Sequence, residues 1–251
     1  MFDFDGRRIL VTGGARGIGA ATVLAFRERG ARVAVGARSA ASYGAFLARH
    51  GDRGIVPAVG EVRNRAAAHA VVAAAVDALG GLDVLVNSAG IFVEAPVAEV
   101  TQEAWDDSLA VNLAGTFFCS QAALPALRAS GGNVINVASD AGLIGYPMGC
   151  VYSAAKGGVV NLTRAMAVEL APAVRVNCVC PGNVETDMIF AAAAASADPQ
   201  AYLQSARERA YTRRMSQPAE IAAAILYLAS REAANTTGIA LPVDGGRLAG
   251  Y

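Results

Sequence analysis

Short apolar runs that end in glycine or other small residues alternate with helical patterns along this 251-residue chain. The first run, Arg8 to Thr12, meets a glycine-rich turn, and a helical pattern follows it as far as Gly30. Strands that are joined by helices lie parallel to one another in a sheet, and the helices pack against its two faces. We therefore expect one α/β domain over residues 1–251, built on a doubly wound parallel seven-stranded sheet. The predicted strands cover residues 8–12, 32–36, 55–59, 83–87, 133–138, 175–180 and 239–243.

Residues that favour helix ends mark several of the predicted helices. Asn64 is the expected N-cap of a helix over Arg65–Leu79. Thr101 is expected to cap a long helix that reaches residue 129 or so, with Asn112 partly buried inside it. The pair Asp198-Pro199 has the composition of a cap and first turn, and so predicts the start of another helix.

The turn after the first strand has the composition of a phosphate-binding loop. It reads T-G-G-A-R-G-I-G over residues 12–19. Glycines let backbone amides approach a pyrophosphate, and the N-terminus of the following helix supplies partial positive charge. The spacing T-G-x-x-x-G-x-G differs from the commoner G-x-G-x-x-G, and a tight turn that binds nothing is the alternative. Its place in the first strand–turn–helix unit favours a dinucleotide site, as in a Rossmann fold.

The end of the second predicted strand bears on which dinucleotide would bind. An acidic residue about 20 residues beyond the first glycines would take the ribose hydroxyls of NAD. Ala37 occupies that position and is followed by Arg38 and Ser39. A guanidinium can meet a phosphate with two parallel hydrogen bonds, and Arg16 in the glycine loop could add a second positive charge. The prediction is a preference for NADP(H). NAD(H) is the alternative if both arginines are solvated surface side chains.

Tyr152 and Lys156 are four residues apart in a helical pattern that begins near Val151, so both project from one helix face. Ser139 lies just beyond the fifth predicted strand, at the edge where parallel sheets place their chemistry. An ammonium beside a phenol favours the phenolate, and is expected to lower the pKa of the phenol from about 10. Such a pair suits proton transfer, whereas an ordinary Tyr/Lys pair on a helix surface is the alternative.

The overall composition excludes several classes of protein. Hydrophobic residues make up 54% of the chain and charged residues 17%, which argues against disorder. The 21 basic residues balance the 21 acidic ones, so neither nucleic acid nor a membrane is expected as a partner. The N-terminal residues lack the pattern of a secretory signal, and the four cysteines show no metal-ligand or redox spacing. We expect four buried thiols, no metal site and a cytoplasmic location.

The segment over residues 187–214 breaks the regular alternation of strands and helices, and is predicted to form a substrate lid. It carries Arg207, Arg209, Arg213 and Arg214. We interpret these arginines as a solvated helix face; if they turned inward, they would suit a carboxylate, phosphate or sulfonate. The apolar character of the expected pocket favours a neutral hydrophobic substrate. The predicted substrate contacts are Leu143, Tyr146, Asn183 and Met188.

Several short motifs occur in a characteristic order along the chain. They are Thr12-Gly13-x-x-x-Gly17-x-Gly19, Asn87-Ser88-Ala89-Gly90, Asn112, Ser139, Tyr152-x-x-x-Lys156, Pro181-Gly182 and Asp244-Gly245-Gly246. With this set, the chain resembles the short-chain dehydrogenase/reductase family from end to end. Ser88 stands where that family usually has a second asparagine, so weaker hydrogen bonding is expected around the fourth strand.

The resemblance implies roles for individual residues. Tyr152 would be the general acid in ketone reduction and the base in alcohol oxidation, while Ser139 would polarise the carbonyl group. Lys156 would lower the pKa of the tyrosine and hold the nicotinamide ribose, and Asn112 would position a water molecule of a proton relay. The family's usual homotetramer is implied as well. The implied cofactor contacts are Gly13, Arg16, Gly17, Ile18, Gly19, Arg38, Glu61, Val62, Asn87, Ala89, Gly90, Tyr152, Lys156, Pro181, Gly182, Val184 and Thr186.

The predicted function is interconversion of a small-molecule ketone and a secondary alcohol by hydride transfer with NAD(P). Reduction of 3-oxoacyl chains on acyl carrier protein is the second hypothesis. It ranks second because that acidic partner needs a basic docking surface, and few basic residues are present where the surface would be. Residues 127–132 and 169–173, which would form this surface, supply one arginine between them. A dinucleotide sensor without turnover is a third alternative, which the presence of both Tyr152 and Lys156 disfavours.

Overall fold

A computed structural model describes residues 2–250, and its centre is a single sheet of parallel strands. The strands are β1 (Arg8–Thr12), β2 (Arg32–Ala37), β3 (Val56–Val59), β4 (Val84–Asn87), β5 (Asn133–Val137), β6 (Arg175–Pro181) and β7 (Ala240–Val243). Their spatial order is β3-β2-β1-β4-β5-β6-β7, so the progress of the chain across the sheet reverses between β1 and β4. In doubly wound sheets such a reversal leaves a crevice at the carboxyl ends of the strands. The predicted fold class is confirmed.

Helices cover both faces of the sheet. In the described part of the chain they are α1 (Gly17–Arg27), α2 (Ala40–His50), α3 (Arg65–Leu79), α4 (Gln102–Ser108), α5 (Gly115–Ser130), α6 (Cys150–Leu170), α7 (Asp187–Ala195), α8 (Pro199–Glu208) and α9 (Pro218–Ala229). Apolar side chains of α1, α2 and α9, such as Phe26 and Phe46, form the core on one face. Those of α3, α5 and α6, such as Leu79 and Leu127, form the core on the other.

Alternate residues of each central strand enter these two cores. Ile9 and Val11 of β1 pack on the side of α1, whereas Leu10 packs on the side of α3. All three side chains are fully buried. Burial on both faces explains why the central strands β1, β4, β5 and β6 are continuous apolar runs in the sequence, whereas Val59 in the edge strand β3 is 43% exposed. The packed sheet is a fixed platform for the loops at its carboxyl edge.

Side-chain caps confirm several of the predicted helix ends. Asn64 accepts a hydrogen bond from the amide of Ala67 (2.9 Å), and Asp198 caps α8 in the same way. Helix α2, which Ser39 caps, is absent from the predicted elements. Of its residues only Phe46 is fully buried, and alanine, serine and glycine fill most of its first six positions, so the segment has few of the large apolar residues that mark a helix.

The prediction of four buried thiols is wrong for Cys150. This residue begins α6 and is exposed, whereas Cys119, Cys178 and Cys180 are buried. The Cys150 side chain faces outward from the first turn of α6, next to the buried Val151, while the other three thiols lie in α5 and β6 against the sheet.

The long helix that begins after Thr101 is one continuous helical stretch with a π-helical segment, Leu109–Ala114, between α4 and α5. Such segments are common at functional sites. Asn112, within this segment, is fully buried rather than partly buried as predicted. Among the described residues, the 29-residue stretch Gln102–Ser130 has the length and composition of a helix that could cross a membrane, and 33% of its most apolar window is buried here.

Arg8 and Asp83 form an ion pair that ties the start of β1 to the residue before β4. Nε and Nη2 of Arg8 donate to the two carboxylate oxygens (2.8 and 3.1 Å), and the Arg8 amide donates to the same group (2.8 Å). Burial alone would raise the pKa of Asp83, but the bonds from Arg8 outweigh it and hold that pKa below its ordinary value.

We expect Asp83→Asn to lower the free energy of unfolding at pH 7 by about 1–3 kcal/mol, because charge-assisted bonds are lost.

Urea denaturation of both proteins over a range of pH checks this expectation. Because the folded pKa is depressed, the advantage of the wild type is present above the pKa of the unfolded carboxyl, about 3.9, and fades as the pH falls through the folded value. Asp77→Asn on the exposed face of α3 is the matched control. A loss at pH 7 no larger than that of the control would contradict the assignment.

Candidate active site

The N-terminus of α1 faces the crevice with backbone amides that no side chain caps. Its N-cap residue, Arg16, makes no side-chain hydrogen bond to the helix, and no acidic residue lies in the first turn. Helices α2, α3, α4 and α8 are in contrast capped by side chains. A helix N-terminus with free amides and no neighbouring acid is a site for an anion such as a pyrophosphate.

Glycines allow the loop after β1 to lie against the loop after β4. Gly13 has φ +63°, and a Cβ added to it would lie 2.7 Å from Cα of Ala89. A Cβ on Gly19 would overlap the carbonyl oxygen of Gly13, so neither position accepts a larger residue without a backbone shift. The two loops together form the floor of the crevice.

A cavity of about 480 Å³ extends along this floor, from the end of β2 to the start of α7. Its lining contains the last residues of the four strands β1, β2, β5 and β6, and Ser139 lines it as well. Of the residues expected to contact the cofactor, those in its lining are Gly13, Arg16, Gly17, Ile18, Gly19, Arg38, Glu61, Val62, Ala89, Gly90, Tyr152, Lys156, Pro181, Gly182, Val184 and Thr186.

Asn87 is the one expected cofactor contact that lies outside this lining. Its Nδ2 donates to Oγ of Ser120 and to Oδ1 of Asn136, each at 2.9 Å, and its side chain is buried. These bonds join β4 to α5 and β5. The structure therefore places the Asn87 side chain beneath the site as a support, rather than in its wall.

Arg38 and Glu61 lie at the end of the cavity that β2 and β3 form. Nε of Arg38 is 3.9 Å from Oε1 of Glu61, and the two side chains are 78% and 46% exposed. An ion pair so long and so exposed is weak, so the Arg38 guanidinium keeps donors available for an anionic group. Arg16 is exposed on the glycine loop.

Lys156 is a buried amine in the lining of the cavity, one helical turn after Tyr152. Its Nζ donates to the carbonyl oxygen of Val137 (2.8 Å) and lies 5.7 Å from the centre of the Tyr152 ring. Burial lowers the pKa of Lys156 to about 8. Burial also raises the pKa of Tyr152, and the neighbouring Ser139 hydroxyl only partly opposes this shift. The predicted lowering of the phenol pKa is therefore wrong for the protein alone, because burial removes the hydration of the phenolate and the nearby Asp140 carboxylate raises the pKa further.

Asp140 and Arg247, which the sequence analysis missed, hold Ser139 in place. The Ser139 hydroxyl donates to Oδ1 of Asp140 (3.0 Å) and accepts from the amide of Ala141 (3.2 Å). Oδ2 of Asp140 accepts from Nη1 of Arg247 (2.8 Å), and both side chains of this ion pair are buried. Arg247 follows β7, so no local pattern connects it to Ser139. The only signal was an acidic residue in an otherwise apolar segment.

Asn112 connects the π-helical segment to the chain after β4. Its Oδ1 accepts from the amide of Ile91 and its Nδ2 donates to the carbonyl of Ile91, both at 3.0 Å, and Nδ2 also donates to Ser108 (3.1 Å). The side chain does not line the cavity. In this structure Asn112 is a positioning residue, which fixes the loop that follows β4.

The far wall of the cavity contains Tyr146, Asn183 and Met188, three of the four predicted substrate contacts. Phe92 joins them: its ring centre lies 6.2 Å from that of Tyr146 and 5.1 Å from that of Tyr152. A substrate that reaches Tyr152 would therefore lie along aromatic and apolar side chains.

Two expectations about this wall are corrected. Leu143 packs against the buried cluster that contains Val159, because a short 3₁₀ turn before it directs its side chain away from the cavity. Arg209, expected on a solvated face, turns inward, and its Nη1 donates to the hydroxyl of Tyr146 (2.6 Å). Arg214 is exposed as expected and is paired with a surface glutamate.

These groups fit a nicotinamide dinucleotide. The free amides of α1 suit its pyrophosphate, and Arg38 with Arg16 can hold the adenosine end. Ala89 and Gly90 give a flat surface without bulky side chains, against which a ring can lie. Lys156 has two remaining N–H donors for ribose hydroxyls, since only one is used by Val137.

Comparison with known proteins gives matches along nearly the whole chain. A family model described as enoyl-(acyl carrier protein) reductase matches residues 13–247. L-fucose dehydrogenase of Mus musculus is 39% identical over 250 residues, which cover 99% of this chain and 90% of that protein. The 3-oxoacyl-[acyl-carrier-protein] reductase of Thermotoga maritima is 37% identical over 250 residues, covering 96% and 98%. The solved structure of Thermoplasma acidophilum aldohexose dehydrogenase matches with TM-score 0.89 at 28% identity, covering 99% and 97%.

Lys156 is the only lysine of the chain, so its titration can be followed without overlap. We expect its amine in the cofactor-free protein to be protonated below about pH 8 and neutral above it, because burial disfavours the charged form. The nitrogen chemical shift of protein labelled with ¹⁵N-lysine would report this directly. A midpoint near the ordinary value of about 10.4 would contradict the expectation.

The lowered pKa of Lys156 also makes the stability of the protein depend on pH. Between about pH 8 and about 10.4 the unfolded chain binds this proton and the folded protein does not, so the free energy of unfolding should rise with pH in that window. Lys156→Met, which keeps much of the apolar stem, should remove this rise in denaturant titrations.

Proposed function

The chain belongs to the short-chain dehydrogenase/reductase family, and we propose that it interconverts a small-molecule ketone and a secondary alcohol with a preference for NADP(H). The observation that carries this proposal is that Ser139, Tyr152 and Lys156 line the same cavity as the uncapped N-terminus of α1. The nicotinamide supplies the hydride when the cofactor is bound. The protein binds and orients the substrate, excludes water and moves a proton.

Tyr152 is the proposed acid in reduction. Because burial raises its pKa, the phenol is protonated at neutral pH and has a proton to donate to the substrate oxygen. Lys156 is positively charged below about pH 8, and its charge stabilises the phenolate that remains after donation. In alcohol oxidation the same phenolate oxygen accepts the proton.

Ser139 is the proposed second hydrogen-bond donor to the substrate oxygen. In the protein alone its hydroxyl donates to Asp140 (3.0 Å), but a hydroxyl can redirect its hydrogen without moving its oxygen. The ion pair of Asp140 with Arg247 keeps the Ser139 loop in place while this happens. Two donors, Ser139 and Tyr152, would then share the negative charge that develops on the oxygen.

We propose that Lys156 passes protons between Tyr152 and solvent, through a water molecule near the segment that Asn112 holds in place. The geometry that supports this is the hydrogen bonding of Asn112 to both backbone groups of Ile91, which keeps the π-helical segment next to the loop after β4. A Cβ on Gly90 would lie 2.9 Å from Oδ1 of Asn112 and 3.7 Å from Nζ of Lys156, so the amide and the amine lie on the same side of this loop.

Residues 187–214 are the proposed substrate lid. They contain α7 and α8, which follow β6 at the carboxyl edge of the sheet. Met188 and Ile189 of α7 line the cavity, and Asn183 donates to the carbonyl of Ala206 in α8 (2.9 Å). Closure of these helices would exclude water from the reacting groups.

The preference for NADP(H) rests on the end of β2. Ala37 cannot accept hydrogen bonds from ribose hydroxyls through its side chain, and the exposed Arg38 has donors for a 2′-phosphate. Arg16, which also lines the cavity, adds positive charge. NAD(H) is the alternative cofactor.

Reduction of 3-oxoacyl groups on acyl carrier protein is the alternative function. The likeness to the Thermotoga maritima reductase that bears this name supports it. Against it stands the small number of basic residues in segments 127–132 and 169–173, where Arg128 is the only one. Strong turnover of carrier-linked substrates, with little on free ketones, would favour the alternative.

We also propose a homotetramer and a cytoplasmic location. Phe117 on α5 and Val168 on α6 are 39% and 84% exposed, and both helices lie on the same side of the sheet. Apolar side chains so exposed on neighbouring helices are typical of a surface that a second copy covers.

Tyr152→Phe tests the proposed reaction. The variant should lose at least about a hundredfold in kcat, because phenylalanine has no proton to give, while cofactor affinity stays nearly the same. Turnover is measured by nicotinamide absorbance on a panel of ketones and secondary alcohols, and binding by fluorescence titration. Tyr211→Phe, at an exposed tyrosine, is the control. An unchanged rate in the Tyr152 variant would remove this residue from its proposed role.

Arg38→Asp tests the cofactor preference. A carboxylate repels the 2′-phosphate and accepts hydrogen bonds from ribose hydroxyls, so the ratio of kcat/KM for NADP(H) over NAD(H) should fall by at least about tenfold. Arg49→Asp, on the exposed face of α2, controls for the change in net charge. If both variants keep the wild-type ratio, the argument from the 2′-phosphate is wrong.

A further inference from the structure

Tyr146 stands between two guanidinium groups at the far wall of the catalytic cavity. Cζ of Arg209 lies 5.0 Å from the centre of the Tyr146 ring, and Cζ of Arg247 lies 5.6 Å from it. Both distances are those of cation–π interactions. Tyr146 lines the cavity, whereas neither arginine does, so both positive charges lie outside the lining and within cation–π distance of the Tyr146 ring.

The two arginines differ in how their charge is balanced. Arg247 is buried and forms an ion pair with Asp140 (2.8 Å). Arg209 is half-buried and pairs with no carboxylate in residues 2–250; its side-chain hydrogen bond goes to the neutral hydroxyl of Tyr146 (2.6 Å). A partly desolvated charge whose partner is neutral is unfavourable, and a bound anion would offset that cost.

Two further carboxylates bear on this wall: Asp187 lines the cavity beside Met188, whereas Glu94 lies outside the lining. Oε2 of Glu94 accepts a hydrogen bond from the hydroxyl of Tyr202 (3.1 Å), not from Arg209. The guanidinium of Arg209 therefore keeps donors that nothing in the described residues uses. The region therefore contains one cation with free donors, Arg209, and the carboxylates of Asp187 and Glu94. This balance of charge suits an anion of single charge better than a phosphate dianion.

Phe92 connects this wall to the reacting groups. Its ring contacts the rings of both Tyr146 and Tyr152, at centre distances of 6.2 and 5.1 Å. A substrate whose carbonyl oxygen meets Tyr152 would lie along Phe92 and end near Tyr146 and Arg209. The intervening part would be apolar, because Phe92 and Met188 line that path.

We propose that the substrate carries a carboxylate at the end opposite to its reacting carbon, bound by Arg209 and the hydroxyl of Tyr146. The proposal rests on the proposed function and narrows its substrate class to oxo acids and hydroxy acids. The guanidinium fork matches the two oxygens of a carboxylate, and the Tyr146 hydroxyl adds a third donor. This replaces the neutral substrate that the apolar character of the predicted pocket had favoured.

Arg209→Gln tests the proposal, since glutamine keeps a hydrogen-bonding side chain but removes the charge. Arg213→Gln is the matched control, because Arg213 is exposed and donates only to the backbone carbonyl of Glu208. The substrates are levulinate and its neutral methyl ester, and kcat/KM is measured by nicotinamide absorbance.

The wild type and Arg213→Gln should favour levulinate over the ester by at least about tenfold, and Arg209→Gln should lose that preference because its kcat/KM falls far more on levulinate than on the ester. An equal loss on acid and ester would make Arg209 a structural clamp for α8 and overturn the proposal. A wild type that favours the ester would overturn it too.

Calorimetry with hexanoate, hexanamide and inorganic phosphate separates this proposal from the proposed function, because binding needs no turnover. Hexanoate should bind the wild type with NADP⁺ at least about tenfold more tightly than hexanamide, and Arg209→Gln should abolish the difference.

Turnover of methyl levulinate without any preference for hexanoate would overturn the carboxylate site and leave the function standing. Hexanoate bound through Arg209 by a protein that reduces no ketone would support the site and overturn the function. Phosphate bound more tightly than hexanoate would overturn the choice of a carboxylate.

Discussion

The hydrogen bond from Lys156 to the carbonyl of Val137 holds the catalytic end of the site together. It joins α6 to the end of β5 inside the protein, at 2.8 Å. A buried amine without a carboxylate partner loses hydration, and its pKa falls to about 8 as a result. The contact also requires close packing of the loop after Ser139, since a Cβ on Gly142 would lie 2.7 Å from the carbonyl group of Lys156. Tyr152, one turn earlier in α6, is thereby brought to the cavity beside Ser139.

The cofactor end depends on a different constraint, which is the common direction of the strands. Because all strands are parallel, the loops after β1, β2, β4 and β6 meet at one edge, and the reversal between β1 and β4 opens a crevice there. Small residues at Gly13, Gly19 and Ala89 let these loops approach one another, and the uncapped α1 faces the resulting space. Buried amides such as Asn87 and Asn136 support the floor through hydrogen bonds between strands and helices.

The substrate end combines segments that are far apart in the chain. Asp140 follows β5, Arg247 follows β7, and Arg209 ends α8, yet all three contribute to the surroundings of Tyr146 and Ser139. Two guanidinium groups and the paired carboxylate of Asp140 lie there, beside a wall that also contains Phe92, Asn183 and Met188. This imbalance of charge distinguishes the far wall from the cofactor end, where Arg38 is exposed to solvent.

The sequence by itself determined the order of the strands, the glycine turn before α1 and the placing of Tyr152 and Lys156 on one helix, because each is a local pattern of apolar runs, glycines or helical spacing. Asn64 and Asp198 cap their helices as their composition predicts. Only the tertiary structure decided the charge states and the partners. Burial, not spacing, sets the pKa of Tyr152 and Lys156, and burial depends on elements that pack from both sides. Three further features have no local signal, since each depends on contacts between residues that only the folded sheet brings together. They are the buried pair of Asp140 with Arg247, the inward turn of Arg209, and the packing of Leu143 away from the cavity.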